Sequence, residues 1–203
     1  MVDPAAGDLV DLAFPVAGRT VPPTYRSLLA AALAGHVPWL GATAGSGMHR
    51  LNLSAGAGGL LSGRTRLTLR VPRGRADAVA AVLTGRCFDL DGETLRLGAP
   101  AVRALLPHRT LYAYFVDAAD DDELAFLARM EGELQTLGVA CQTVCGRRQS
   151  LPAGDGMLTG HSLLLDGLSP EHALRVMCTG LGAHHELGCG LFVPHKSAAA
   201  VGA

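Results

Sequence analysis

Gly180-Leu181-Gly182 and Gly188-Cys189-Gly190 stand five residues apart, after a segment of helical pattern and directly before the apolar run Leu191-Phe192-Val193-Pro194. Two glycine pairs in that setting let the chain pass from helix to strand through backbone of positive φ, and they leave main-chain N–H groups uncovered by side chains. Such a segment is either an ordinary helix-to-strand turn or a cradle for an anion such as phosphate, with Gly180, Gly182, Gly188 and Gly190 against it.

The rest of the chain repeats the alternation of strand and helix. Leu9 to Val16 is a short apolar run, and Pro22-Pro23 precedes Ser27 to Ala34, a run of helix-forming residues that ends at Gly35. Residues Gly41 to Gly59 are rich in Gly, Ala and Ser and read as a mobile loop carrying His49 and Arg50. From Arg64 to Val71, Arg64, Arg66, Thr68 and Arg70 alternate with Leu67, Leu69 and Val71, which predicts a half-buried strand with an arginine face. A helix from Arg75 to Leu83 follows, then two strands joined by Asp91-Gly92, a hairpin signal. Pro100 to Pro107 reads as a linker.

The second half opens with the strand Thr110 to Val116. An acidic turn, Asp120-Asp121-Asp122-Glu123, suits the positive end of a helix that stops at Gly138. Strands Val139 to Val144 and Met157 to Leu165 flank a basic loop, Gly146-Arg147-Arg148, and Ser169-Pro170-Glu171 caps a final helix ending near Thr179. The expected fold is α+β: two tandem ferredoxin-like (RRM-like, βαββαβ) modules over residues 1–104 and 109–196, with a disordered tail over 197–203.

Composition narrows the partner. Net charge is −1, yet from Arg50 to Arg109 ten arginines face four acids, whereas Asp117 to Glu133 holds seven acids and one arginine, Arg129. Sixteen of the seventeen basic residues are arginine, whose planar fork suits phosphate; a GC-rich genome produces the same bias without any such role. Aromatics are only 4%, with Phe88, Tyr112, Tyr114, Phe115 and Phe192 in candidate strands, so were the partner a nucleic acid, backbone and shape readout would be favoured over base stacking. Five cysteines at irregular spacing, no secretory leader pattern and no apolar run of bilayer length read as a reduced, cytoplasmic chain without a membrane segment. Cys178, His184, His185 and Cys189 lack the spacing of a zinc site, so no metal and no cofactor are expected.

Eight histidines are present, and each can serve as proton donor or acceptor near neutrality. His36 follows Tyr25 by eleven residues, three helical turns, so the two share a stripe. At a helix C-terminus a histidine also serves simply to bond the last carbonyls. His49 is either a loop residue in solvent or the partner of His36.

The strand with Pro22-Pro23, His36-Val37-Pro38-Trp39-Leu40, Gly47-Met48-His49-Arg50, Leu105 to His108, Gly146-Arg147-Arg148, Asp166 to Pro170 and the glycine loop ending in Phe192-Val193-Pro194 together resemble a known family. It is that of CRISPR-associated repeat-RNA processing endoribonucleases of the RAMP superfamily, from a type I system of the Myxococcus type. The resemblance implies a metal-independent cut of CRISPR precursor RNA within the repeat, by 2′-OH attack, leaving a 2′,3′-cyclic phosphate and a 5′-OH. It places catalysis on His36 first, with His49 and Tyr25. It places the RNA backbone, a short stem-loop, on Arg50, Arg64, Arg66, Arg70, Arg147, Arg148, His184, His185 and Lys196 together with the four glycines. It implies repeat RNA as partner, with other subunits of a type I surveillance complex and no direct DNA contact. Non-catalytic RAMP subunits that bind guide RNA share these features, and a small-molecule enzyme on the same fold is the more distant alternative.

Overall fold

The computed structural model describes residues 8–54, 59–118, 122–154 and 156–196, so the expected tail over 197–203 lies outside the described residues. The first apolar run forms strand β1 (Leu9–Ala17), buried on both faces except at Asp11 and its C-terminal end, as befits a central strand. It pairs antiparallel with β3 (Arg66–Pro72) from Leu9↔Pro72 to Pro15↔Arg66. A two-residue strand, β2 (Gly47–Met48), lies beyond β3. On the other edge of β1 lie β5 (Glu93–Leu97) and β6 (Ala101–Ala104), and the hairpin partner β4 (Cys87–Leu90) lies outside β5. Helices α1 (Tyr25–Ala34) and α2 (Ala76–Leu83) bury Tyr25, Leu29, Leu33, Val79 and Leu83 against Val10, Leu12 and Phe14.

The second sheet contains β7 (Leu111–Asp117), β8 (Gln142–Ala153), β9 (Gly156–Asp166) and β10 (Val193–Pro194) in the order β10-β7-β9-β8. This is the fourth-first-third-second order of a βαββαβ unit. Helices α3 (Glu123–Thr136) and α4 (Pro170–Thr179) cover one face, packing Phe126, Met130, Val176 and Met177 on Leu111, Ala113, Leu163 and Leu165. Asp122 and Ser169 accept the N-cap bonds of these helices from Leu124 and His172. The protein thus has two antiparallel sheets with helices on one face of each, and tandem ferredoxin-like modules describe it. None of the described helices is long and apolar enough to cross a membrane.

Local signals fared well and long-range ones less so. Asp91 and Gly92 both take positive φ, as a two-residue hairpin of the primed type requires. The residues read as a linker contain β6, which pairs with β1 over Val10 to Ala13; all four of its residues are exposed, so no burial alternation marked it. The basic loop is no loop. Gly146-Arg147-Arg148 lie within β8 at a bulge where the register passes from Cys145↔Leu163 to Arg148↔His161. A Cβ on Gly146 would sit 2.2 Å from Ser162 Oγ, so the glycine there serves close strand packing.

The segment read as mobile is packed over its described residues 41–54. Ser46 and Met48 are wholly buried, and the backbone N–H of Leu51 donates to the Tyr25 hydroxyl at 3.1 Å. Residues 55–58 of that segment lie outside the described residues. The end of the β8–β9 hairpin reaches back to α1, where the Ser27 hydroxyl donates to the Pro152 carbonyl at 2.9 Å and Ala30 packs against a cluster of Phe115, Leu151, Leu187 and Cys189.

Candidate functional site

Because Val10 and Leu12 face the first core, Asp11 between them points to the opposite face of the sheet. Its cross-strand neighbours are Arg70 on β3 and Arg103 on β6. Arg70 is wholly buried. Its Nε and Nη2 donate to the two Asp11 carboxylate oxygens at 2.8 and 3.1 Å, and its Nη1 donates to the carbonyls of Met177 and Phe192 at 3.0 Å each. One guanidinium therefore ties the first sheet to α4 and to the strand entry of the second module.

His49 stands beside this pair. Its backbone N–H donates to the Thr68 carbonyl at 2.8 Å, which continues the β2–β3 pairing by one residue and fixes the side chain. Its Nε2 lies 3.6 Å from Asp11 Oδ1, and the side chain is 13% exposed. Burial and the Arg70 charge lower the imidazole's pKa below its ordinary 6.5, with Asp11 pulling the other way. Burial would raise the Asp11 carboxyl, but the His49 contact and the Arg70 charge outweigh it and hold the group well below the carboxylate range. At neutral pH the site holds a neutral imidazole against an ionised carboxylate.

A cavity of about 270 Å³ opens over these groups, lined by Asp11, His49, Thr68 and Arg103 from the first module and by Tyr114, Val193 and Gly188 from the second. Arg50 stands at its edge, the guanidinium carbon 3.6 Å from the Tyr114 ring centroid. Two arginines, a carboxylate and an imidazole converge on one opening. That arrangement can hold a phosphate and move a proton.

Sequence reasoning missed Asp11 and Arg103. The signal for Asp11 was a single acid within an apolar central strand; Arg103 had none beyond its charge.

Other expected site residues lie elsewhere. His36 is half-buried, 6.1 Å from the Phe88 ring, in a separate cavity with Trp39 and Arg75. Tyr25 is buried and its hydroxyl serves Leu51, so it fastens the segment that carries His49. Arg70 cannot face phosphate, since every donor group described above is engaged inside the protein. Arg66 donates Nη1 to the carbonyls of Gly63 and Thr65, and Arg64 is exposed in the preceding turn. Arg147, Arg148 and Lys196 are exposed, the first two on the β8 bulge.

The glycine loop takes four positive φ values, at Gly180, Gly182, Gly188 and Gly190, and the amides of these four glycines serve the fold. The N–H groups of Gly180, Gly188 and Gly190 donate to the carbonyls of Val176, His185 and Phe115, and that of Gly182 to the Glu133 carboxylate at 2.8 Å. A Cβ on Gly190 would fall 1.9 Å from the Leu181 carbonyl oxygen, and one on Gly188 2.6 Å from that of Met48. The four glycines form a close-packed joint between modules, and their own N–H groups are engaged within the protein. His185 is buried among the same glycines, with Nε2 unpartnered, and burial lowers its pKa. His184 stays half-exposed, 3.3 Å from Glu186. Among the described residues no group of three His, Cys, Asp or Glu side chains could hold a metal ion.

The Cas6 Crispr family model matches residues 10–197. The chain belongs to the Cas6 family. It is 38% identical over 196 residues, 95% of this chain and 84% of the relative, to the CRISPR-associated endonuclease Cas6 of Myxococcus xanthus strain DK1622. Among solved structures it is similar to the product of a Cas6-related gene from Pyrococcus furiosus, with a TM-score of 0.63 at 14% identity over 94% of this chain and 99% of that one. It is also similar to the CRISPR endoribonuclease Cse3 bound to a 19-nucleotide RNA, with a TM-score of 0.54 at 14% identity over 93% and 99% of the two chains. At such identities the two structures testify to a shared Cas6-type fold.

Two buried histidines of this Cas6 chain, His49 and His185, bind protons less readily folded than unfolded. The stability these two groups contribute is fully present above their unfolded value of about 6.5 and is lost as pH drops below it, because the unfolded chain then takes up protons that the folded one resists. Thermal melts from pH 7.5 to 5 should show a falling midpoint, and His185→Asn should flatten part of that slope.

Proposed function

We propose that this protein is an endoribonuclease that cleaves CRISPR precursor RNA within the repeat without a metal ion, and that His49 performs proton transfer in the cleft between the two modules. The observation that carries the reading is the His49 imidazole, its Nε2 3.6 Å from the Asp11 carboxylate, in a cavity edged by Arg50 and Arg103. Family membership and the name of the Myxococcus xanthus relative support the reaction class.

In the proposed step, His49 takes the proton of the 2′-OH as its oxygen bonds to the adjacent phosphorus. The bond from phosphorus to the 5′-oxygen breaks, that oxygen takes a proton from solvent, and the His49 imidazolium then returns to solvent the proton it took from the 2′-OH. The products are a 2′,3′-cyclic phosphate and a 5′-OH. Arg50 and Arg103 offset charge on the phosphorane oxygens, which in a partly desolvated cleft is the larger contribution. The Asp11 carboxylate, 3.6 Å from Nε2, offsets the charge the ring gains, while Arg70 holds Asp11 in place. Arg147, Arg148, Arg64 and Lys196 supply outlying contacts to the stem-loop backbone, which position RNA without reading its sequence.

Labelled repeat RNA incubated with the chain in EDTA should be cut at one position, leaving a cyclic phosphate end, and His36→Ala should cut at close to the wild-type rate. Binding without any product would favour the guide-RNA-binding reading, and loss of cutting in His36→Ala alone would move the chemistry to the other cavity.

A further inference from the structure

We infer that Tyr114, carrying the Arg50 guanidinium and buttressed by Tyr112, is the seat of one unpaired nucleobase of the repeat RNA next to the scissile linkage. The inference rests on the proposed RNA substrate and adds to it the group that fixes which nucleotide enters the cleft. Aromatic residues are scarce here, and the fold buries most of those expected in strands: Phe88, Phe115 and Phe192 are at most 5% exposed. Tyr112 and Tyr114 differ. On β7 they alternate with Leu111 and Ala113, which pack under α3 and α4, so both tyrosines stand on the sheet face opposite those two helices. Tyr114 is 38% exposed.

Three contacts shape this surface into a seat. The rings of Tyr112 and Tyr114 meet edge to face, 4.9 Å between centroids at 85°, so Tyr112 holds Tyr114 from its side. His195 packs on Tyr112 at 5.3 Å, which braces the pair further. Arg50, itself exposed, stacks on Tyr114. A guanidinium stacked on a ring offers the kind of plane against which unpaired bases stack, and its edge remains available to phosphate. Tyr114 and Arg50 line the same cavity as Asp11, His49 and Arg103, so a base seated there brings its own phosphodiester to the imidazole. The cavity, about 270 Å³, lies at the small end of ligand pockets and suits one nucleotide rather than a paired stem. The sheet face therefore adds base stacking to the backbone readout that composition alone favoured.

The test uses the full chain and repeat RNA with 2-aminopurine at each unpaired position in turn. Wild-type protein should quench one position on binding, Tyr114→Phe should quench it equally, and Tyr114→Leu should not, with melting temperatures of all three alike. An abasic residue at that position should weaken wild-type binding about 5- to 100-fold and leave Tyr114→Leu binding nearly unchanged. Equal quenching by Tyr114→Leu at every position, or an abasic loss of the same size in both proteins, overturns the seat. RNA that is cut with no dependence on Tyr114 overturns the seat alone. RNA seated on Tyr114 but never cut removes the nuclease and leaves the seat standing, and absence of any RNA binding removes both.

Discussion

Replacing Arg70 with alanine should lower the melting temperature of this protein more than any other single change described above. The side chain is wholly buried and makes four hydrogen bonds, two to the Asp11 carboxylate and two to the carbonyls of Met177 and Phe192. Removing one partner of a buried pair costs about 3–5 kcal/mol, because the other charge stays behind without a counterion. For a chain of this length each kcal/mol moves the melting point by roughly 2–4 °C, so a fall of about 6–20 °C is expected. Arg70→Lys keeps the charge but has no fork to span carboxylate and carbonyls together, and should fall between the two. The double variant Arg70→Met with Asp11→Leu should recover part of the loss, since no stranded charge remains, yet stop short of wild type because the two carbonyls stay unpaired. A melting point for Arg70→Ala within 2 °C of wild type would show that the modules are joined without it.

Arg70 also marks the limit of what the sequence could reveal. Alternation along Arg64 to Val71 correctly separated a polar from an apolar face, but period-two patterning reports only the strand's own two sides. It carries no information about a second module some hundred residues later that covers the polar face with Met177 and Phe192. The glycine loop met the same limit. Its four positive φ values were legible from residue type alone. What the tight backbone approaches was not: Gly188 closes on Met48 of β2, and Gly180 and Gly190 close on one another's loop segments and His185. Gly146 reads as part of a loop because glycine within a strand and glycine in a loop look alike in one sequence; in the fold it sits at a bulge where a Cβ would meet Ser162 on the neighbouring strand. By contrast, the Ser169-Pro170 cap and the Asp91-Gly92 hairpin involve neighbours in sequence, and both formed as expected. His49 was legible as a residue worth notice, whereas its preference over His36 required Asp11, thirty-eight positions away.

His49→Ala should reduce the single-turnover cleavage rate by about 10²- to 10⁴-fold, the usual contribution of a positioned proton-transfer group, while affinity for repeat RNA changes little. The protonation state makes the expectation sharper than the rate loss alone. As base, the imidazole must be neutral, and burial with the Arg70 charge sets its pKa below 6.5. Activity should therefore be flat through neutrality and decline only in a limb below pH 6.5, as the ring takes up a proton. Asp11 raises that pKa, so Asp11→Asn should carry the limb to lower pH. Arg70→Lys keeps a positive charge on that side chain, so it should move the limb far less than it moves the melting point. A rate that rises as pH falls from 7 to 5 would mean that the protonated ring is the active form, and would recast His49 as the acid that protonates the departing 5′-oxygen. Unchanged cleavage by His49→Ala would remove proton transfer from this cleft altogether.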